Sequence, residues 1–125
     1  MRTLAVVLSL MICAPASAEE LTASLLYSTC LDKEYLPSQQ LCRFYVLGAV
    51  QGLEYGDEAV RNDQGVFVER KKTHFCLPPS FPQAQMVAVF MSAMERLKAS
   101  YAKDLESPAV PLIDAAMTNA FPCPK

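Results

Sequence analysis

The cysteines of a chain addressed to an oxidising compartment, four of its five once the leader is gone, constrain the fold more than any other feature of this sequence. The address is read from the N-terminus. Arg2 supplies a positive start, residues 4–12 (LAVVLSLMI) form a short apolar run, and Ala16-Ser17-Ala18 places small side chains at −3 and −1 before Glu19. This is the pattern of a Sec-type signal peptide, residues 1–18, cleaved after Ala18. A membrane anchor needs roughly twenty apolar residues, and Pro15 closes this run early. A lipoprotein would use Cys13, but Ile12 stands before it where a small residue is required. The mature chain, residues 19–125, is therefore expected to be periplasmic, with no later stretch apolar enough to hold it in a membrane.

Cys13 leaves with the signal, and Cys30, Cys42, Cys76 and Cys123 remain. An even count in an oxidising compartment predicts disulfides. Of the three possible connectivities, Cys30 with Cys42 and Cys76 with Cys123 is preferred, because each pair joins segments that the helical reading below places side by side. In the loop-entropy model, closing rings of this length stabilises by about 3 and roughly 4 kcal/mol, terms that rival the net stability of a small domain. Zinc is the competing reading. The chain has no CxxC pair and a single histidine, His74, so no metal set is assigned. Catalytic thiols would want a closer pair than any present here.

The rest of the mature chain reads as an all-α domain, a compact bundle of about four helices. Leu21, Leu25, Tyr27 and Leu31 recur near helical spacing and predict a first helix ending near Asp32. Pro37 interrupts, and Ser38 is the expected N-cap of a second helix running through Gly56. Gly48, Gly52 and Gly56 recur every fourth residue, which predicts a bare helix face that a neighbouring backbone approaches closely. Residues 57–75 (DEAVRNDQGVFVERKKTHF) concentrate charge of both signs around Val66-Phe67-Val68. This is the expected surface loop, with a turn at Gly65 and the apolar triplet as a short extended piece.

After Pro78 and Pro79, Ser80-Phe81-Pro82-Gln83 has the form of a capping box. A long helix is expected to about Lys103, with Met86, Phe90, Ala93, Leu97 and Tyr101 as its stripe and Val87, Met91 and Met94 widening it. Ser107-Pro108 repeats the cap-then-proline signature. Leu112, Ile113, Ala116, Met117, Ala120 and Phe121 then form the inner face of a final helix that Pro122 ends.

Catalytic constellations are not found. His74 is the sole candidate base and stands beside a cysteine expected to be oxidised; Asp57 and Glu58 are adjacent rather than facing. There is no G-x-G-x-x-G and no P-loop, so no nucleotide cofactor is assigned. The whole chain carries −2 net charge with a pI near 5.3, which gives no basic field for nucleic acid. The chain reads as a protein binder rather than an enzyme.

Its landmarks are Cys42-Arg43-Phe44-Tyr45-Val46-Leu47-Gly48, then Phe75-Cys76-Leu77-Pro78, then Ser107-Pro108-Ala109 and Ala120-Phe121-Pro122-Cys123. In this order they closely resemble the Rap/Tai family of type VI secretion immunity proteins, over a span from Cys30 to Cys123. The resemblance implies an all-helical periplasmic protein that binds a secreted cell-wall hydrolase effector, typically a peptidoglycan amidase, and blocks it. It also implies a possible homodimer. The contact is expected in the charged loop, with Asp57, Glu58, Arg61, Asp63, Glu69 and Arg70 rimming Phe67, since an apolar anchor among charges suits a hot spot with electrostatic steering. Two alternatives stand beside this reading: a small periplasmic acid or stress chaperone, and an accessory subunit of an envelope complex.

Overall fold

The computed structural model describes residues 20–124 apart from 59, 62 and 69–73, with only the backbone considered at 57–58, 60–61 and 67–68. The signal segment and Glu19 lie outside the described residues. Four helices, α1 (Ala23–Leu31), α2 (Leu36–Glu58), α3 (Gln83–Tyr101) and α4 (Ala109–Ala120), pack around one core, as the all-α reading expects. A two-residue-per-strand hairpin, β1 (Val60–Arg61) and β2 (Phe67–Val68), follows α2, and a 3-10 segment (Ala102–Glu106) joins α3 to α4.

Helix α1 starts at Thr22, whose Oγ1 accepts from the Leu25 N–H, and it ends at Asp32 as expected. Its buried face differs from the expected stripe. Ala23, Leu26, Tyr27 and Cys30 face inward, whereas Leu25 and Leu31 are exposed. Leucines stand on both sides of this helix, so hydrophobicity does not choose a face; the Cys30–Cys42 disulfide to α2 does.

Helix α2 begins two residues before the expected cap at Ser38. Asp32 does the capping instead, and its Oδ1 accepts from the backbone N–H of Glu34 (3.2 Å) and Tyr35 (3.1 Å). The Tyr35 carbonyl then accepts from Ser38 and Gln39 N–H. Pro37 sits in the first turn, where its missing N–H costs nothing. The Asp32 carboxyl is held below the usual carboxylate range, first by the Tyr35 N–H, then by the Ser38 hydroxyl and the Glu34 N–H.

The expected close packing at the glycine row is overturned. Cys42, Val46 and Val50 turn inward with half-buried Leu53, and the disulfide fixes that rotation. Gly48, Gly52 and Gly56 consequently point to solvent, and a Cβ built on any of them meets nothing within 4 Å.

Two further caps differ from expectation. Ser80 takes a positive φ of 60° in the Pro78–Phe81 turn, so no capping box forms; α3 starts instead from Pro82, whose carbonyl accepts from Gln85 and Met86 N–H. Pro108 is itself the N-cap of α4, while the Ser107 carbonyl accepts from Ala23 N–H and Leu21 O accepts from Ala109 N–H, both at 2.9 Å. These two bonds strap the N-terminus to the start of α4. Met86, Phe90 and Met94 form the inner stripe of α3; Tyr101 is 67% exposed because the helix ends there and the chain turns away. In α4, Ala109, Ile113, Ala116 and Met117 are buried, and Ala120, in the last turn, is exposed.

The core is apolar throughout. Leu26, Val46, Val50, Phe90, Ile113 and Met117 are fully buried, so that each helix contributes, and Phe75 enters from the segment before α3. Truncating one of the larger of these costs about 3–5 kcal/mol. The second expected disulfide, Cys76–Cys123, closes the far end, where Cys76 N–H donates to Phe121 O at 2.9 Å and the Phe81 and Phe121 rings meet edge to face at 4.7 Å.

Candidate functional site

The charged segment leaves the end of α2 and returns to the core at Phe75. Asp57 and Glu58 are the last two residues of α2. Arg61 on β1 and Phe67 on β2 are directly paired in the antiparallel ladder, as are Val60 and Val68. Asp63 lies in the connecting turn and is exposed, with Gln64, Gly65 and Val66 beside it. Gly65 has φ +75°, the left-handed conformation that favours glycine. Glu69 and Arg70 lie outside the described residues. The ladder thus brings Arg61 and Phe67 together and carries Asp63 between them. The triplet read as extended is so at Phe67 and Val68.

The described residues on either side of the charged segment are fixed. On one side α2 is held by Val50 and Leu53 in the core. On the other, Phe75 is 2% exposed, Cys76 is bonded to Cys123, and His74 Nδ1 lies 2.9 Å from Asp114 Oδ2 on α4. Thr118 Oγ1 in turn donates to Asp114 at 3.4 Å. His74 therefore acts as a tie between loop and helix, and the adjacent sulfur is already bonded.

Sequence reasoning misses a second surface. Leu41, Phe44 and Tyr55 on α2 are 53%, 64% and 66% exposed. With Gly48 and Gly52 they share the face turned away from the core. The signal is present in the spacing, because Val46 and Val50 mark the opposite side of the same helix.

A further concavity is largely apolar. A groove of about 300 Å³ between α3 and α4 is lined by Met94, Leu97, Tyr101 and Leu112 together with Arg96, whose Nη1 donates to Ser92 Oγ at 2.8 Å. Among the described residues, no helix is long and apolar enough to cross a membrane.

No curated protein and no solved structure gives a significant match to this chain. The family model of the Rap1a immunity proteins matches residues 22–123, from the cap of α1 to the last disulfide cysteine, and thus spans all four helices and both bridges. The chain belongs to the Rap1a immunity protein family, and that membership supports a role in immunity against type VI secretion effectors.

Proposed function

We propose that the mature protein is a periplasmic inhibitor of a peptidoglycan amidase effector, which it binds without turnover through the charged hairpin segment. Asp57, Glu58, Arg61, Asp63, Glu69 and Arg70 supply the charged rim, and Phe67 the apolar anchor. The observation that carries this reading is the hairpin itself. Its turn at Asp63 is exposed, its strands pair Arg61 with Phe67, and the chain re-enters the core at buried Phe75, beside the Cys76–Cys123 bridge. Mixed charge around an apolar anchor gives steering together with a slow off-rate. Occupation is all the function requires, since the hydrolase is stopped for as long as its cleft is filled. The protein also works as a homodimer in this reading.

The test is titration of the mature protein into a type VI amidase effector of the same organism, with peptidoglycan fragment release as readout. Stoichiometric, reversible inhibition supports the reading; full activity at saturating inhibitor overturns it.

A further inference from the structure

The seam between α3 and α4 meets solvent through small side chains. Ala88 and Ser92 on α3 and Ala115 and Ala120 on α4 are exposed along it, and beside them lie two hollows, of about 300 and 430 Å³. Larger apolar groups line their depths. Half-buried Leu97 and Leu112 stand in the first, and half-buried Val89 and Phe121 in the second. Each hollow is wide enough for one large apolar side chain, the usual anchor of a protein contact.

A single charge stands between them. Arg96 lines both hollows, and neither is lined by a carboxylate or by a second cation. Among the described residues Arg96 makes no ion pair; its Nη1 donates to Ser92 Oγ at 2.8 Å. That bond turns the guanidinium back by one helical turn, in the direction helical side chains lean. The α3 residues of the first hollow run from Ala93 to Tyr101 and those of the second from Gln85 to Arg96, so their centres lie about seven residues, or roughly 10 Å, apart. The cation, drawn back to the level of Ser92, sits midway.

This order of apolar, cationic and apolar sites names its occupant. A helix presents one face at i, i+4 and i+7 and climbs about 10 Å between the first and last of these. Apolar anchors at i and i+7 then enter the two hollows while a carboxylate at i+4 meets the Arg96 fork, which still has donors to give. An extended strand covers the same distance in about three residues, which turns its two anchors to opposite sides. A single acyl chain with an anionic head has one tail for two hollows.

We propose that the α3–α4 seam is a docking groove for an amphipathic helix of a partner protein, one that carries an acidic residue between two apolar anchors. The proposal goes beyond the inhibitor reading and does not rest on it, since no residue of the charged segment lines the groove.

The probe is a capped, alanine-rich helical peptide of about twenty residues, with leucine at i and i+7 and glutamate at i+4, labelled with fluorescein. Titrated with the mature protein, both disulfides intact, it is expected to bind with a dissociation constant on the order of 100 μM or tighter. Arg96→Glu is expected to weaken that binding about tenfold or more with an unchanged melting curve. A peptide with lysine in place of the glutamate is expected to prefer Arg96→Glu over the wild type. Ala115→Phe and Ala88→Phe, at exposed positions, fill one hollow each and are expected to weaken the glutamate peptide. Binding that ignores Arg96→Glu and both filled hollows overturns the proposal, as does a wild type that leaves the peptide free at about 1 mM protein. Self-association of the wild type that vanishes in Arg96→Glu would make the occupant a second copy, and the proposal falls.

Discussion

His74 Nδ1 and Asp114 Oδ2, forty residues apart in the chain, meet at 2.9 Å and fasten the end of the charged segment to the middle of α4. The side chains are 43% and 25% exposed, so the contact adds little to global stability, typically up to about 1 kcal/mol. Its role is local, holding one root of the hairpin. Asp114→Asn is expected to lower the melting temperature only slightly while speeding amide exchange at His74 and Phe75. Unchanged exchange at those two amides would show that Phe75 and the disulfide fix the root alone.

Asp32 links α1 to α2 by a second local device. It is the C-cap residue of α1, and its carboxylate accepts from the first N–H groups leading into α2. Because these bonds hold its pKa below the usual value, the stabilisation is present above the unfolded carboxylate range and is lost as pH falls through the lower folded value. Carboxyl titration by NMR is expected to place Asp32 below an ordinary aspartate, and Asp32→Ala, which removes the acceptor, is expected to fray residues 34–38. An ordinary titration would remove the capping role.

Gly56 lies in the last turns of α2 with open space where a Cβ would stand. Glycine within a helix is less favourable than alanine by roughly 0.5–1 kcal/mol. Gly56→Ala is thus expected to stabilise the domain by up to about that amount in denaturant unfolding. Destabilisation would mean that the glycine row is packed after all.

The helices are legible in the sequence and the orientation of the glycine row is not, because local sequence encodes only the first. Periodicity places α1, α2, α3 and α4 because burying one face is a local pattern, and the cysteine pairs follow once those helices lie side by side. The direction in which α2 turns is set by distant segments: Cys30 on α1 pins Cys42, and Val46 and Val50 share one core with Phe75 and Ile113. A face of glycines is equally suited to tight packing or to solvent, and nothing in its own spacing decides. Ser80 and Ser107 carry cap-like patterns, but their backbone is claimed by a turn and by the N-terminal strap. Of the candidate contact, Gly65 foreshadows the hairpin that pairs Arg61 with Phe67. Exposed Phe44 and Tyr55 are invisible to a reading that buries the glycine face between them.

The exported form is expected to begin at Glu19 and to carry Cys30–Cys42 and Cys76–Cys123. Intact mass is expected to rise by four hydrogens on reduction. Removing the longer bridge by Cys76→Ser with Cys123→Ser is expected to cost about 4 kcal/mol, against about 3 for the shorter, in proportion to the logarithm of the loop each closes. A smaller mass shift, or peptides cross-linked in another pairing, contradicts the arrangement.

Immunity of the proposed kind requires the hairpin to occupy an effector's cleft, and the most direct measurement is titration of an amidase effector with wild type and Phe67→Ala. Wild type is predicted to abolish peptidoglycan cleavage at about one equivalent. Phe67→Ala is predicted to keep wild-type helicity while losing about 2 kcal/mol of binding, roughly thirty-fold in inhibition constant, as truncation of an interface anchor does. Equal inhibition by both proteins would move the contact away from Phe67, and an amidase that remains active with excess wild type would contradict the inhibitor role itself.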